Sequence, residues 1–202
     1  MDPLHQLDSA ELVERVRAHD QAAWVALTER YTGLLWSVAR SMRLNEEDAA
    51  DAVQTTWLRL VEQLDTLREP DRVGSWLATT VRRECLAALR RRTRLATMDG
   101  WEDMADSAEP LDEALLRAER DAALWRAFHA LPENCRTLLR VLMADPPPKY
   151  AEVAAALDMP IGSIGPTRRR CLDALRGILL SGPEPSDARS AGTNRGGHDE
   201  SR

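Results

Sequence analysis

The chain has 202 residues, 44% hydrophobic and 30% charged, with a formal net charge of −6. That length fits one domain or two small ones, and the acidic balance argues against a protein that coats nucleic acid by bulk charge. No apolar run reaches membrane-spanning length and no apolar leader-like segment follows Met1, so a cytoplasmic protein without membrane insertion is expected.

Helical periodicity runs along the chain and strand-like alternation is absent, which predicts an all-α fold. Ser9 is the expected cap of a first helix over 9–17. A second, over 21–42, carries Trp24, Leu27, Tyr31, Leu34, Leu35 and Val38 at helical spacing. Asn45 caps a third over 46–64, with acids in its first turn as the helix dipole favours. After a connector over 65–70, a fourth helix over 72–92 places Val73, Trp76, Leu77, Val81, Cys85 and Leu89 on its apolar side. The first domain is therefore expected over 9–94.

Residues 95–110 lose the periodicity and turn acidic, which reads as a flexible linker, although Trp101 is unusual for a plain spacer. A second, smaller helical domain is expected over 111–180, with helices over 115–130 and 131–144 and an extended break at Pro146-Pro147-Pro148. Residues 149–176 then read as two helices joined by a sharp corner at Asp158-Met-Pro-Ile-Gly162. Val153, Ala154 and Leu157 face inward from the first, and Ile164, Leu172 and Leu175 from the second. Ser163 is the expected cap of the second helix, with Pro166 in its first turn. Such a corner with Arg168, Arg169 and Arg170 on its second helix has the form of a helix-turn-helix. The remaining 181–202, rich in Gly, Pro, Ser and charge, reads as a disordered tail.

Several patterns carry candidate chemistry. Arg82, Arg83, Arg90, Arg91, Arg92 and Arg94 form a basic block opposed only by Glu84, and the acidic linker follows it directly. Arginines of this kind hold phosphates, and Trp76 upstream is placed to stack on an exposed base; a solvated helix end above a core tryptophan has the same pattern. On the third helix, Asp48, Asp51, Gln54, Thr55 and Leu58 mix acids, amides and an exposed leucine, as a partner-docking surface or an ordinary wet face does. Cys85, Cys135 and Cys171 are widely spaced without metal-ligand or paired patterns, so three buried, reduced thiols are expected. There is no phosphate-cradling glycine loop, no nucleophile elbow and no zinc-protease motif, so neither an enzyme nor a cofactor or metal is expected.

Taken in order, these segments resemble an extracytoplasmic-function (ECF) sigma factor of the small two-domain bacterial kind. Asp48-Ala-Ala-Asp-Ala-Val-Gln-Thr-Thr-Trp-Leu-Arg-Leu60 resembles that family's core-polymerase-binding helix, and Trp76-Leu-Ala-Thr-Thr-Val-Arg-Arg-Glu-Cys-Leu86 its promoter-melting helix. Leu131-Pro-Glu-Asn-Cys-Arg-Thr-Leu-Leu139 resembles the opening of its fourth region, and Gly162-Ser-Ile-Gly-Pro-Thr-Arg-Arg-Arg-Cys-Leu172 its DNA-reading helix. The resemblance implies polymerase contacts at Asp48, Asp51, Gln54, Trp57 and Leu58. It implies minus-ten contacts at Arg72, Trp76, Thr80, Arg82 and Arg83, with the connector over 64–71 receiving a flipped base. Ser163, Gly165, Pro166, Arg168, Arg169 and Arg170 would face the minus-thirty-five element. The implied partners are core RNA polymerase, promoter DNA and an anti-sigma factor. Many relatives carry a basic residue and a serine where this chain has Gly165-Pro166, and an asparagine near Glu84; an actinobacterial subgroup shares both departures and the triple proline. The alternatives are a stand-alone dimeric helix-turn-helix regulator, which leaves the first domain without a role, and a decoy that occupies polymerase without initiating.

Overall fold

Helix starts are set by short polar side chains. Asp8 accepts the Glu11 N–H at 2.8 Å while the Glu11 carboxylate accepts the Asp8 N–H at 2.9 Å, so α1 (Ser9–Arg17) opens on a reciprocal cap. The cap is thus Asp8, not Ser9, whose buried hydroxyl lies 2.7 Å from that of Tyr31. Asp20 caps α2 (Gln21–Ser41), and Asn45 caps α3 (Glu46–Gln63) by accepting the Asp48 N–H at 2.7 Å. Two short 3-10 turns, Leu64–Thr66 and Pro70–Arg72, then lead into α4 (Val73–Asp99). The C-terminal half is α5 (Ala118–His129), α6 (Glu133–Leu142), α7 (Tyr150–Leu157) and α8 (Ile161–Ser181).

This computed structural model describes residues 3–99 and 118–181, and within them the fold is all-α. Helix α4 runs to Asp99, into the expected linker; the rest of that linker, Trp101 included, and the expected tail after 181 lie outside the described residues.

The N-terminal half packs Leu12 and Val13 of α1, Leu27, Leu34 and Leu35 of α2, Leu60 of α3 and Val73, Leu77 and Val81 of α4, all essentially without solvent contact. Each such side chain contributes roughly 1.5–3 kcal/mol of burial, which fixes the relative placement of the four helices. The same core continues into the C-terminal half through Leu138, Val141, Val153, Ala156 and Ile164. A smaller separate cluster, Phe128, Leu131, Cys135, Leu139 and Cys171, holds α5, α6 and α8 together.

The two halves therefore lie against each other, with α7 on α4 and α6 on α2. Two glycines make this approach possible. A Cβ on Gly33 of α2 would overlap the Asp145 carbonyl oxygen, and one on Gly74 of α4 would overlap the Glu152 carboxylate. The buried residues of α7 are Glu152, Val153 and Ala156; of the expected Val153, Ala154 and Leu157, the last two are half-buried against the same core. Asp158, left-handed at φ 54°, ends α7 and turns the chain into α8.

Four further sequence expectations fail here for physical reasons. Helix α8 begins at Ile161, so Ser163 lies inside its first turn and donates its hydroxyl to the Pro160 carbonyl at 2.7 Å instead of capping. Pro166 accordingly falls within the helix, beyond its first turn. Leu172 is largely exposed, and Cys171 takes the inward position beside Ile164. Finally, Cys135 and Cys171 are joined in a disulfide, where three separate buried thiols were expected; 36 residues of sequence separation hid a Cα–Cα distance of 5.3 Å. Only Cys85 is free and buried, and burial pushes its thiol up to about 12.

Candidate nucleic-acid and partner interfaces

Three concave surfaces organise the residues singled out above. The first lies between the connector and α4. A pocket of about 470 Å³ is framed by Leu67, Arg68 and Glu69 on the connector side and by Arg72, Trp76, Thr79 and Arg83 on the helical side. Positions 72, 76, 79, 80 and 83 recur at helical spacing, so one face of α4 and its leading turn supplies two guanidinium groups and an indole. The connector wall is fixed from behind by Arg17 of α1. Its Nη2 donates to the Leu64 and Leu67 carbonyls at 2.8 and 2.7 Å, and its Nε to Leu64 at 3.0 Å. A planar fork making three bonds to backbone carbonyls holds a loop more firmly than a single donor does. Arg17 was missed in the sequence because its partners are 47 and 50 residues away.

The predicted minus-ten set divides at this pocket. Arg72, Trp76, Thr80 and Arg83 line it, with Arg72 also paired to Glu69 at 3.2 Å. Thr80 is 8% exposed and its hydroxyl donates to the Trp76 carbonyl at 2.8 Å, so it offers little more than its methyl group. Arg82 points elsewhere: its guanidinium pairs with Asp158 at the end of α7, 3.2 Å away. Glu84, where many resembling proteins have asparagine, is tied to Arg59 of α3 at 3.0 Å and braces α3 against α4.

The second surface is a shallow apolar groove of about 420 Å³ between α2 and α3. Trp24, Trp36, Val53, Gln54, Trp57, Leu58 and Val61 line it, and Trp24 and Trp57 meet edge to face with centroids 5.8 Å apart. Leu58 and Val61 are 55% and 57% exposed, an apolar patch that monomeric surfaces rarely keep without use. Of the predicted partner-binding set, Gln54, Trp57 and Leu58 belong to the groove, while Asp48 and Asp51 sit nearer the start of α3 as an acidic rim. Trp24 and Trp36 join them from α2; the sequence placed Trp24 among that helix's periodic apolar positions and did not single out Trp36.

The third is the outer side of α8. Arg169 and Arg170 are exposed, and Arg170 Nη2 donates to the Thr167 hydroxyl at 3.1 Å. Gly165 has open space where a Cβ would stand, and Pro166 is exposed beside it, so this stretch presents little side chain just before the arginine run. Arg168 is set apart from the other two: it turns towards a cleft of about 1000 Å³ between the halves, which Trp36, Arg40, Trp125, Phe128, Arg140 and Leu172 also line.

The contact between the halves has its own electrostatics. Glu152 accepts the Lys149 N–H at 2.9 Å and a hydrogen bond from the Tyr31 hydroxyl, and burial pushes its carboxyl above the usual range. Burial likewise raises Tyr31.

The chain thus combines a four-helix unit bearing a basic, tryptophan-lined pocket with a C-terminal helix pair, α7 and α8, joined at a sharp corner. Residues 27–95 match the family description of sigma-70 region 2. The ECF RNA polymerase sigma-E factors of Salmonella typhimurium strain LT2 and Escherichia coli strain K12 are each 29% identical over 169 residues, 79% of this chain and 87% of theirs. The ECF RNA polymerase sigma factor RpoE of Cereibacter sphaeroides is 28% identical over 186 residues, covering 87% of this chain and 97% of its own. Two solved structures share the fold. CnrH, in complex with the cytosolic domain of CnrY, has a TM-score of 0.54 at 22% identity, covering 86% of this chain and 98% of CnrH. RpoE in complex with the anti-sigma factor NepR from Bartonella quintana has 0.52 at 23%, covering 76% and 94%. The chain is thus similar to ECF RNA polymerase sigma factors over most of its length, with the sigma-70 region 2 match confined to its N-terminal half. No helix among the described residues is long and apolar enough to cross a membrane.

Proposed function

We propose that this chain directs promoter-specific initiation through two separate DNA-reading surfaces. Residues 9–94 dock on the largest subunits of core polymerase and open the minus-ten element; residues 111–180 hold the minus-thirty-five element as duplex. The observation that carries this reading is the pocket between the connector and α4. Its size suits one extruded base, Trp76 offers a stacking face, and Arg72 and Arg83 are placed for the flanking phosphates. On the α2–α3 groove, Gln54, Trp57 and Leu58 give an apolar seat for polymerase, with Asp48 and Asp51 setting orientation at the rim. On α8, Arg169 and Arg170 contact the duplex backbone while Gly165 and Pro166 let it approach closely; Ser163 and Arg168 stand at the margins of that surface.

The packed halves cannot do both jobs at once. Elements centred near positions −10 and −35 lie about 25 base pairs, or roughly 85 Å, apart at 3.4 Å per base pair. The described residues occupy a body of about 15 Å radius of gyration by the scaling for compact chains. Polymerase binding must therefore part α7 from α4, which also releases Arg82 from Asp158 to reach the opened strand. A negative partner would act oppositely, and an anti-sigma factor, as found on the Bartonella relative, would enter the cleft between the halves with an apolar face and acids to meet Arg40, Arg140 and Arg168.

The test is run-off transcription with purified chain, sigma-free core polymerase and genomic fragments from the source organism. Discrete start sites sharing two spaced elements are expected. Trp76→Ala and Arg83→Ala should abolish strand opening and leave the complex with core polymerase intact; unchanged transcript yield from both variants would overturn the pocket assignment.

A further inference from the structure

The disulfide belongs to no surface described so far, and its position gives it a use. Cys135 stands in the first turn of α6, and Cys171 follows directly on the Arg168–Arg170 run of α8. The bond therefore ties the helix that carries the exposed arginines to the helix behind it. The cluster around it is small, with Phe128, Leu131 and Leu139 as its only other buried members and Leu175 and Ile178 packed on its edge. Moreover, Leu138, Val141, Val153, Ala156 and Ile164 pack into the core shared with the N-terminal half. When the halves part on polymerase, that support is weakened, and the cluster around the two cysteines becomes what chiefly keeps α8 in place. Small units with little core are the ones in which a cross-link matters most.

We propose that Cys135 and Cys171 form a reversible thiol–disulfide site that fastens the duplex-facing helix α8 to α6. A protein that works on RNA polymerase shares the polymerase's reducing compartment, where disulfides are typically transient and redox-sensing. The dithiol is then the resting form, and the disulfide forms when low-molecular-weight disulfide accumulates. The thiolate of Cys135, 9% exposed against 1% for Cys171, attacks one sulfur of that disulfide and releases one small thiol. Cys171 thiolate then attacks the Cys135 sulfur of the mixed disulfide and releases the second. The two protons lost by the protein thiols reside on the two small thiols, and the small disulfide is the species reduced. Cys85, buried in α4 with its thiol held protonated, takes no part and serves as an internal standard.

The full chain, equilibrated in buffers of glutathione and glutathione disulfide, is acid-quenched, denatured, alkylated with N-ethylmaleimide and weighed intact. Reducing buffers should give adducts on Cys85, Cys135 and Cys171; oxidising buffers should leave Cys85 alone labelled, through a single transition. The oxidised form should melt higher by on the order of 10 °C. Labelling of all three thiols at every ratio, or equal melting of the two forms, would overturn the proposal. The effect on transcription rests on the sigma-factor reading. In a reconstituted assay, reduction should lower wild-type transcript yield several-fold and leave the weaker Cys135→Ala/Cys171→Ala variant unmoved. Equal wild-type yields in both forms would refute the fastening role. A chain that makes no transcript in either form would refute the sigma reading, while the thiol count would still decide this one.

Discussion

Gly74→Ala tests whether the closed packing of the two halves is a specific state. The added Cβ would overlap Glu152 Oε1 and stand 2.8 Å from its Cδ and 2.6 Å from Tyr31 Cε1. Glu152 has little freedom to yield, because its other oxygen is held by the Lys149 N–H at 2.9 Å and the Tyr31 ring closes the opposite side. Two outcomes compete. Forcing the methyl into the closed form costs about 1–3 kcal/mol, as overpacked cores do. Lifting α7 away relieves the clash and lets the Tyr31 ring relax into the space that Glu152 leaves. The closed-to-open ratio should therefore fall by roughly 5- to 150-fold. Small-angle X-ray scattering reads this directly, since separated halves on a linker raise the radius of gyration by several ångströms. Gly177→Ala, inside α8 where a Cβ meets open space, is the matched control: it should leave the scattering curve unchanged and raise stability by about 0.5–1 kcal/mol. A Gly74→Ala protein with the wild-type scattering curve and melting temperature would show that α7 does not depend on this seat, and the closed-state argument would fall.

Acidity should act on the same contact. Glu152 is raised in the closed form, mainly by burial, and Tyr31, Arg30 and Lys149 are the polar groups that act on it. The closed form thus binds the Glu152 proton more tightly than the open one, so closure is strongest below the ordinary carboxylate range and weakens as pH rises through the raised value. Scattering across that range should show opening with rising pH in the wild type and a flat profile in Glu152→Gln; a slope in the variant would assign the titration elsewhere. Arg17→Ala should leave the connector carbonyls of Leu64 and Leu67 without their donor, lowering stability by about 1–3 kcal/mol and speeding amide exchange at 64–72; protection equal to the wild type would refute the bracing role. Gly165→Ala should raise thermal stability slightly, by about 0.5–1 kcal/mol, because the helix gains a better former in open space. The same methyl should weaken minus-thirty-five binding in an anisotropy titration if duplex backbone comes close, and unchanged affinity would remove Gly165 from that surface. Leu58→Asp should abolish complex formation with core polymerase in gel filtration while the fold survives, as befits a side chain 55% exposed; normal assembly would move the docking seat off the α2–α3 groove.

What was legible in the sequence is what periodicity and local chemistry encode. The helices of the N-terminal half were read closely because apolar spacing and the Asn45 cap are local signals. The shift from Ser9 to Asp8 came from a competing carboxylate one residue upstream that completes a reciprocal cap with Glu11. Ser163 failed as a cap because the chain turns earlier, at a left-handed Asp158, so α8 is already under way at Ile161. The sites divided in the same manner. Arg72, Trp76 and Arg83 were grouped in the sequence through the family resemblance, and their helical spacing brings them to one side of a pocket. Its connector wall, braced by Arg17, and the pairing of Cys135 with Cys171 depend on contacts tens of residues apart that no local pattern carries. Arg82 and Arg83 are neighbours in sequence with the same chemistry, yet 100° of helix sends one to the pocket and the other to Asp158.

That divergence bears on how firmly the halves are held. Arg82–Asp158 at 3.2 Å and Arg43–Glu133 at 3.1 Å are open to solvent, and such pairs contribute about 0–1 kcal/mol each and weaken with salt. The bond from Arg140 Nη1 to the Arg40 carbonyl at 3.1 Å is likewise exposed. Glu152 costs desolvation that its two hydrogen bonds only partly offset, so closure rests on the apolar groups that enter the shared core from the C-terminal half, Leu138, Val141, Val153, Ala156 and Ile164. That shared apolar core keeps the halves closed at rest, and a binding partner's free energy must open it, since the screened ion pairs at its edge hold little. Replacing Glu152 by a leucine would remove the buried carboxylate and, if the larger side chain found room beside Gly74, hold the halves shut. Glu152→Leu should then keep the closed-form scattering radius at every pH, yet bind core polymerase more weakly than Glu152→Gln. Equal binding by the two variants would mean that polymerase does not need the halves to part.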